Sequence, residues 1–84
     1  MNKHEIALAY VLRANKILEV MFLITVKIMT ARGELESKEF ITYVQVIATS
    51  YHNTGVEYEH LKRYDKTLKF YLLAFSVTNK YLGA

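Results

Sequence analysis

The chain has 84 residues, 52% of them hydrophobic and 23% charged, with a net charge of +3 and a pI near 9.2. A chain of that length holds one domain, and its hydrophobic content excludes an intrinsically disordered polymer. Cysteine is absent, which excludes a disulfide framework and makes a reducing compartment the expectation, while the charge excess is too small and too scattered for a strong nucleic-acid footprint.

Proline is absent as well, which favours long helices. The opening MNKHEIALAYVLRANK lacks the small-residue cleavage site of a secretory signal in the expected place. The first predicted helix covers 4–32. Ala7, Val11, Ala14, Leu18, Met21 and Ile28 form one stripe on it, and Val20, Leu23, Ile24 and Val26 fill much of the remaining surface. Its greasiest part, ILEVMFLITVKIM at 17–29, is interrupted by Glu19 and Lys27 and falls far short of the ~20 apolar residues of a membrane span. A helix apolar on so many sides needs more neighbours than a three-helix unit supplies. Its surplus is expected to meet another chain or another part of a longer one.

A connector follows at 33–37. Gly33 is suited to end a helix, and Ser37 to begin one. The second helix is predicted over 38–61. Phe40, Val44, Ile47, Tyr51, Thr54, Tyr58 and Leu61 recur at i, i+4, i+7 along one side, and Thr42, Gln45, Thr49, His52 and Glu59 make the other side polar. The stretch HLKRYD at 60–65 contains neither glycine nor proline, so the turn there must be tight. The third helix is predicted over 64–81, with one row of Tyr64, Leu68, Tyr71, Phe75, Thr78 and Leu82 and a second of Phe70, Val77 and Tyr81. Apolar on two sides, it also needs two neighbours.

Gly55 lies inside the second helix, where glycine costs about 1 kcal/mol against alanine. Helix axes normally stand 8–10 Å apart, at a separation set by the side chains between them. A glycine at the crossing lets a bulky side chain of the partner helix come closer. Tyr51 and Tyr58 are expected to frame this gap, and Thr67 and Tyr71 to fill it.

Ala48, Tyr51, Asn53, Gly55, Tyr58, Leu61, Tyr64, Thr67, Leu68, Tyr71 and Ala74 together resemble the tetratricopeptide repeat, a ~34-residue antiparallel helix pair. Residues 48–81 look like one copy. KYLG at 80–83 is similar to the longer variant found in kinesin light chains and related cytoskeletal proteins. Residues 3–16 resemble the second helix of a preceding repeat, with Leu8 and Ala14 matching Leu68 and Ala74. Thr54, Thr67 and Asn79 depart from the family's leucine, small alanine and proline. The resemblance implies helix packing through Tyr51, Gly55, Tyr58, Thr67, Tyr71 and Ala74. It implies an inner groove for partners at Thr49, His52, Asn53, Val56 and Glu59, with the Asn53 amide able to bond a peptide backbone. Where chaperone-binding members carry basic clamp residues, His52 and Val56 stand, so a carboxylate clamp is not expected. About three repeats are usually needed for stability, so one and a half read as part of a longer array or as a subunit completed by other chains.

Catalytic chemistry finds little support. Ser37, Ser50 and Ser76 have no glycine-rich elbow, and three glycines build no phosphate loop. Glu34, Glu36 and Glu39 suit the start of the second helix electrostatically. His52, Glu59 and His60 lack a third ligand at helical spacing, Val56 holding that row. Lys62, Arg63, Lys66 and Lys69 interleave with Tyr64 and Phe70 as a nucleic-acid face would, but the rings fall on the packing rows.

The expected fold is therefore all-α: a tetratricopeptide-type antiparallel hairpin with a long preceding helix, forming one unit over 1–84. The expected function is a non-catalytic protein–protein interaction scaffold or adaptor without metal, cofactor, small-molecule substrate or membrane span. Its partners are other proteins or adjoining repeats, with self-association a further expectation. By resemblance it is cytoplasmic, in a cytoskeletal or ciliary assembly. A small helical nucleic-acid-binding or regulatory module is the alternative.

Overall fold

The computed structural model describes residues 2–83, so Met1 and Ala84, the ends of the expected unit, lie outside the described residues. The chain is all-α. Its helices are α1 (Lys3–Arg32), α2 (Lys38–His60) and α3 (Tyr64–Leu82).

Local chemistry fixes each helix end. The Asn2 side chain accepts from the Glu5 N–H at 2.8 Å and donates back to the Glu5 carboxylate at 3.2 Å. The first bond satisfies an orphan N–H of the first turn of α1, and the second ties the two side chains together. At its far end Gly33 adopts φ +69°. The Gly33 and Glu34 N–H groups bond the Thr30 and Met29 carbonyls, the paired closure of a Schellman motif. The Ser37 hydroxyl then accepts from the Phe40 N–H and caps α2. The same closure ends α2. Arg63 and Lys62 donate to the Tyr58 and Glu59 carbonyls, and Lys62 takes φ +61° without the glycine such a position favours. The 61–63 turn is as tight as its composition requires.

α2 lies in the centre, antiparallel to both neighbours. Along α1 the contacts run from Phe22 on Phe40 (5.9 Å between rings) through Asn15 on Thr54 (2.8 Å) to His4 on Glu57 (2.9 Å). Along α3 they run from Tyr81 on Phe40 (5.6 Å) through Phe70 on Tyr51 (6.1 Å) to Phe70 on Tyr58 (5.6 Å). The core is Phe40, Val44, Ile47 and Tyr51 of α2 with Phe22 of α1, so the stripe read from α2 is the one buried. Phe22 and Tyr81 meet edge to face at 5.3 Å, bridging the outer helices at one end. The molecule measures 45 × 23 × 16 Å. A helix with its side chains is about 10–12 Å across, so the structure is a slab without a second full layer. Each outer helix is covered mainly on the side that faces α2.

Gly55 is buried in α2 where Tyr71 of α3 crosses it. A Cβ there would lie 2.5 Å from Tyr71 Cε1 and 3.3 Å from the Thr67 carbonyl oxygen. Tyr71 thus packs on bare backbone. Tyr51 and Tyr58 clasp Phe70 instead of Tyr71, which corrects the expected frame. The clasp also turns α3, so that Thr67, Phe70, Ala74, Val77 and Tyr81 pack inward, while Tyr64, Leu68 and Phe75 of the expected first row stay exposed.

The α1 stripe requires a larger correction. Met21 and Ile28 are about half exposed and Ala14 is exposed, whereas Asn15 and Phe22 are buried. Because α1 is apolar on nearly every side, periodicity does not choose its inner face. Phe40, Ser50 and Thr54 of α2 choose it.

Candidate functional site

α2 leaves one side open between its neighbours. Thr49, His52 and Glu59 lie toward α3 and Asn53 and Val56 toward α1, so two shallow grooves divide the five residues expected to meet partners. The α3-side groove, about 390 Å³, is lined by Ala48, Thr49, His52, Tyr71, Ala74 and Thr78, among others. The His52 ring stacks on Tyr71 at 5.0 Å, and the Tyr71 hydroxyl donates to Glu59 at 2.9 Å. His52, Gly55 and Glu59 therefore hold Tyr71 across three turns of α2. The bond to Glu59 raises the Tyr71 pKa, because an ionised phenol would lose its acceptor and face a carboxylate. The α1-side groove, about 300 Å³, is lined by Ala7, Val11, Asn53, Val56 and Glu57. Asn53 is exposed, so its amide is open to a ligand in that groove.

On the opposite side of α2 the gap between α1 and α3 forms an apolar cleft of about 530 Å³. Ile47 and Tyr51 make its floor, Phe22, Leu23 and Val26 one wall, and Leu73, Val77 and Tyr81 the other, with Glu19 and Lys80 beside them. Burial and the neighbouring Glu19 carboxylate push the Tyr51 phenol up to about 12. The cleft is open and offers no charged cluster for a small polar substrate. Its shape and chemistry suit apolar side chains of a protein.

A buried polar triad was not foreseen from the sequence. Asn15, 2% exposed, donates through Nδ2 to Thr54 Oγ1 at 2.8 Å and accepts at Oδ1 from Ser50 Oγ at 2.5 Å. The Thr54 hydroxyl in turn donates to the Ser50 carbonyl at 2.8 Å. The triad fastens α1 to α2 and engages Ser50 structurally. His4 stacks on His60 at 4.2 Å and bonds Glu57. Both partners of His4 are more than 50 residues away in sequence, and no local spacing announces them.

Among the described residues no group of three or more His, Cys, Asp or Glu side chains gathers as a metal site. His60 turns toward His4 and His52 toward Tyr71, so His52, Glu59 and His60 do not converge. Lys62, Arg63 and Lys69 are exposed around the 61–63 turn and the start of α3, but Phe70 is held between Tyr51 and Tyr58. No described helix is long and apolar enough to cross a membrane.

Beyond the grooves, α1 exposes Ile6, Tyr10, Ile17, Val20, Ile24 and Ile28, and α3 exposes Tyr64, Leu68, Leu72 and Phe75. Compared with family models, with curated proteins and with solved structures, the chain matches none.

Proposed function

We propose that the chain is a non-catalytic protein-interaction unit of tetratricopeptide type, in which α2 and α3 form one repeat and α1 stands as the second helix of a preceding one. One observation carries the proposal: both outer helices present long exposed apolar rows beside a central helix whose own apolar stripe is buried. Contiguous apolar surface of this extent marks protein contact. The glycine crossing at Gly55 and the antiparallel α2–α3 pair support the repeat reading, and the open Asn53 amide supports peptide binding in the α1-side groove. KYLG at 80–83 supports a place in a larger cytoskeletal or ciliary assembly, by resemblance alone.

The test is affinity purification with wild type and two surface variants, Leu68→Glu/Leu72→Glu and Asn53→Ala. Each variant must keep wild-type helicity by circular dichroism. Protein partners should be lost with the double variant and weakened with Asn53→Ala. An unchanged partner set in both, or salt-sensitive retention on heparin as the chief activity, would overturn the proposal.

A further inference from the structure

The apolar cleft between α1 and α3 is edged by positive charge. Leu23 of α1 and Leu73 of α3 line its two walls. Lys16 and Lys27 stand seven and four residues from Leu23, and Lys66, Lys69 and Lys80 stand seven, four and seven from Leu73. At 3.6 residues per turn, such spacings place each lysine within about 40° of its leucine. Lys16, Lys27, Lys69 and Lys80 are exposed and Lys66 is half-buried, and Lys80 lines the cleft itself. Two carboxylates share the face. Glu19 lines the cleft near Tyr51. Glu5 lies about 27 Å from Leu23 along α1 and is bonded to Asn2. Asp65 stands about 80° round α3 from Leu73, with Arg63 at 3.9 Å. α2 adds no carboxylate here. Glu57 lines the α1-side groove, Glu59 holds Tyr71 on the opposite side, and Glu39 sits beside Lys38 at the far end of the helix.

We propose, on the protein-interaction reading above, that this cleft receives one amphipathic helix of another protein, apolar on the face it buries and acidic along both flanks. The walls and floor are helices whose backbone groups are already paired, so an extended peptide finds no edge to bond. A helix pairs its own backbone and presents only side chains, which is the helix-in-groove mode of recognition. Lys66 and Lys80 are about 21 Å apart along α3, room for about 14 residues of helix. Acidic flanks would meet lysines on both walls, a complementary arrangement of charge.

The same charges exclude a second copy of this chain as the guest. Its exposed apolar rows belong to α1, with five Lys and Arg against two Glu, and to α3, with three Lys against one Asp. Either would bring like charge to the lysines. α2 is the acidic helix, and its apolar stripe is buried. A flat bilayer surface fits poorly as well. Ile47 and Tyr51, 2% and 9% exposed, form the floor of the cleft, where a ridge of side chains reaches and a plane does not.

The probe is a synthetic helical peptide of about 18 residues with a leucine row and glutamate flanks, compared with a lysine-flanked counterpart. By fluorescence anisotropy the acidic peptide should bind the wild-type chain with roughly micromolar affinity, and more weakly as salt rises. Lys69→Glu/Lys80→Glu should weaken it at least ~10-fold and favour the lysine-flanked peptide instead. Leu73→Glu should also weaken it, and Asn53→Ala, on the other side of α2, should not; every variant must keep its helicity. Methyl resonances of Leu23, Ile47 and Leu73 should shift on binding, and those of Val11 and Val56 should stay in place. No binding up to near-millimolar peptide, equal affinity for the two peptides, or shifts confined to Val11 and Val56 would each overturn the proposal. Capture by phosphatidylserine vesicles without peptide binding would give the face to a membrane and also refute it. Each of these failures is separate from the purification above, which scores Leu68, Leu72 and Asn53.

Discussion

Replacing Gly55 with alanine separates two opposing effects at one site. Helix propensity favours alanine by about 1 kcal/mol. The new methyl, however, would sit 2.5 Å and 2.6 Å from Cε1 and Cδ1 of Tyr71, roughly 1 Å inside carbon–carbon contact. The ring cannot move freely, because it stacks on His52 and its hydroxyl is tied to Glu59. The Thr67 carbonyl at 3.3 Å limits movement of the α3 backbone. Overpacking of this kind costs about 1–3 kcal/mol, and loss of the stacked ring about 0.5–1.5 kcal/mol more. The net expectation is a destabilisation of about 0.5–3.5 kcal/mol, a fall in Tm on the order of 2–28 °C for a domain of this size. Removing the obstruction should reverse the sign. In a Tyr71→Ala background, Gly55→Ala should be neutral or stabilising by up to ~1 kcal/mol, the full propensity gain being trimmed by Thr67. Urea denaturation of the four proteins reads both legs of the cycle. A Gly55→Ala protein more stable than wild type, or the same effect in both backgrounds, would refute the close crossing.

Three further substitutions probe the interior. Asn15→Ala should destabilise by about 2–3 kcal/mol by urea denaturation, through a cavity and two lost bonds to Thr54 and Ser50; a change below ~0.5 kcal/mol would show that the triad does not fasten α1. Tyr43→Phe should stabilise by about 1 kcal/mol on thermal melting, because the buried Tyr43 hydroxyl has no hydrogen-bond partner among the described residues; a loss of stability would show that the hydroxyl is satisfied. Tyr51 governs alkaline behaviour. Its folded pKa, about 12 against 10.0, means the folded state keeps a proton that the unfolded state releases first, so stability is full below pH 10 and falls as pH rises from 10 through 12. The loss from this group is at most about 3 kcal/mol, and Tyr51→Phe should reduce the decline over that interval; parallel curves would exclude the effect.

Much of the fold was legible because local chemistry decided it. Gly33 and Ser37 announced the break between α1 and α2, and both do there what their conformations and side chains allow. The α2 row from Phe40 to Thr54 was readable because that helix is polar on its other side, leaving one face to bury. Gly55 was readable because a glycine inside a helix is costly unless something crosses it. The face of α1 was not readable, since Met21 and Phe22 are equally apolar and only contacts from α2 distinguish them. Asn15 was missed for the same reason: a polar residue in an apolar helix reads as exposed, and its partners lie 35 and 39 residues away. The expected partner residues on α2 share an open side, but whether they shared one groove depended on the positions of both outer helices. Tyr71, pinned between His52 and Glu59, divides that side in a way that spacing along α2 does not show.

Methyl-resolved NMR with a soluble paramagnetic agent views the α1 row directly, because isoleucine marks both the row and the core. Ile47, 2% exposed within one copy, supplies the protected reference. In the free chain the Ile17 and Ile24 methyls should relax far faster than Ile47, and binding of a protein partner recovered by affinity purification should protect them. If Ile17 and Ile24 relax as freely exposed groups with the partner bound, the α1 row is not a protein-contact face.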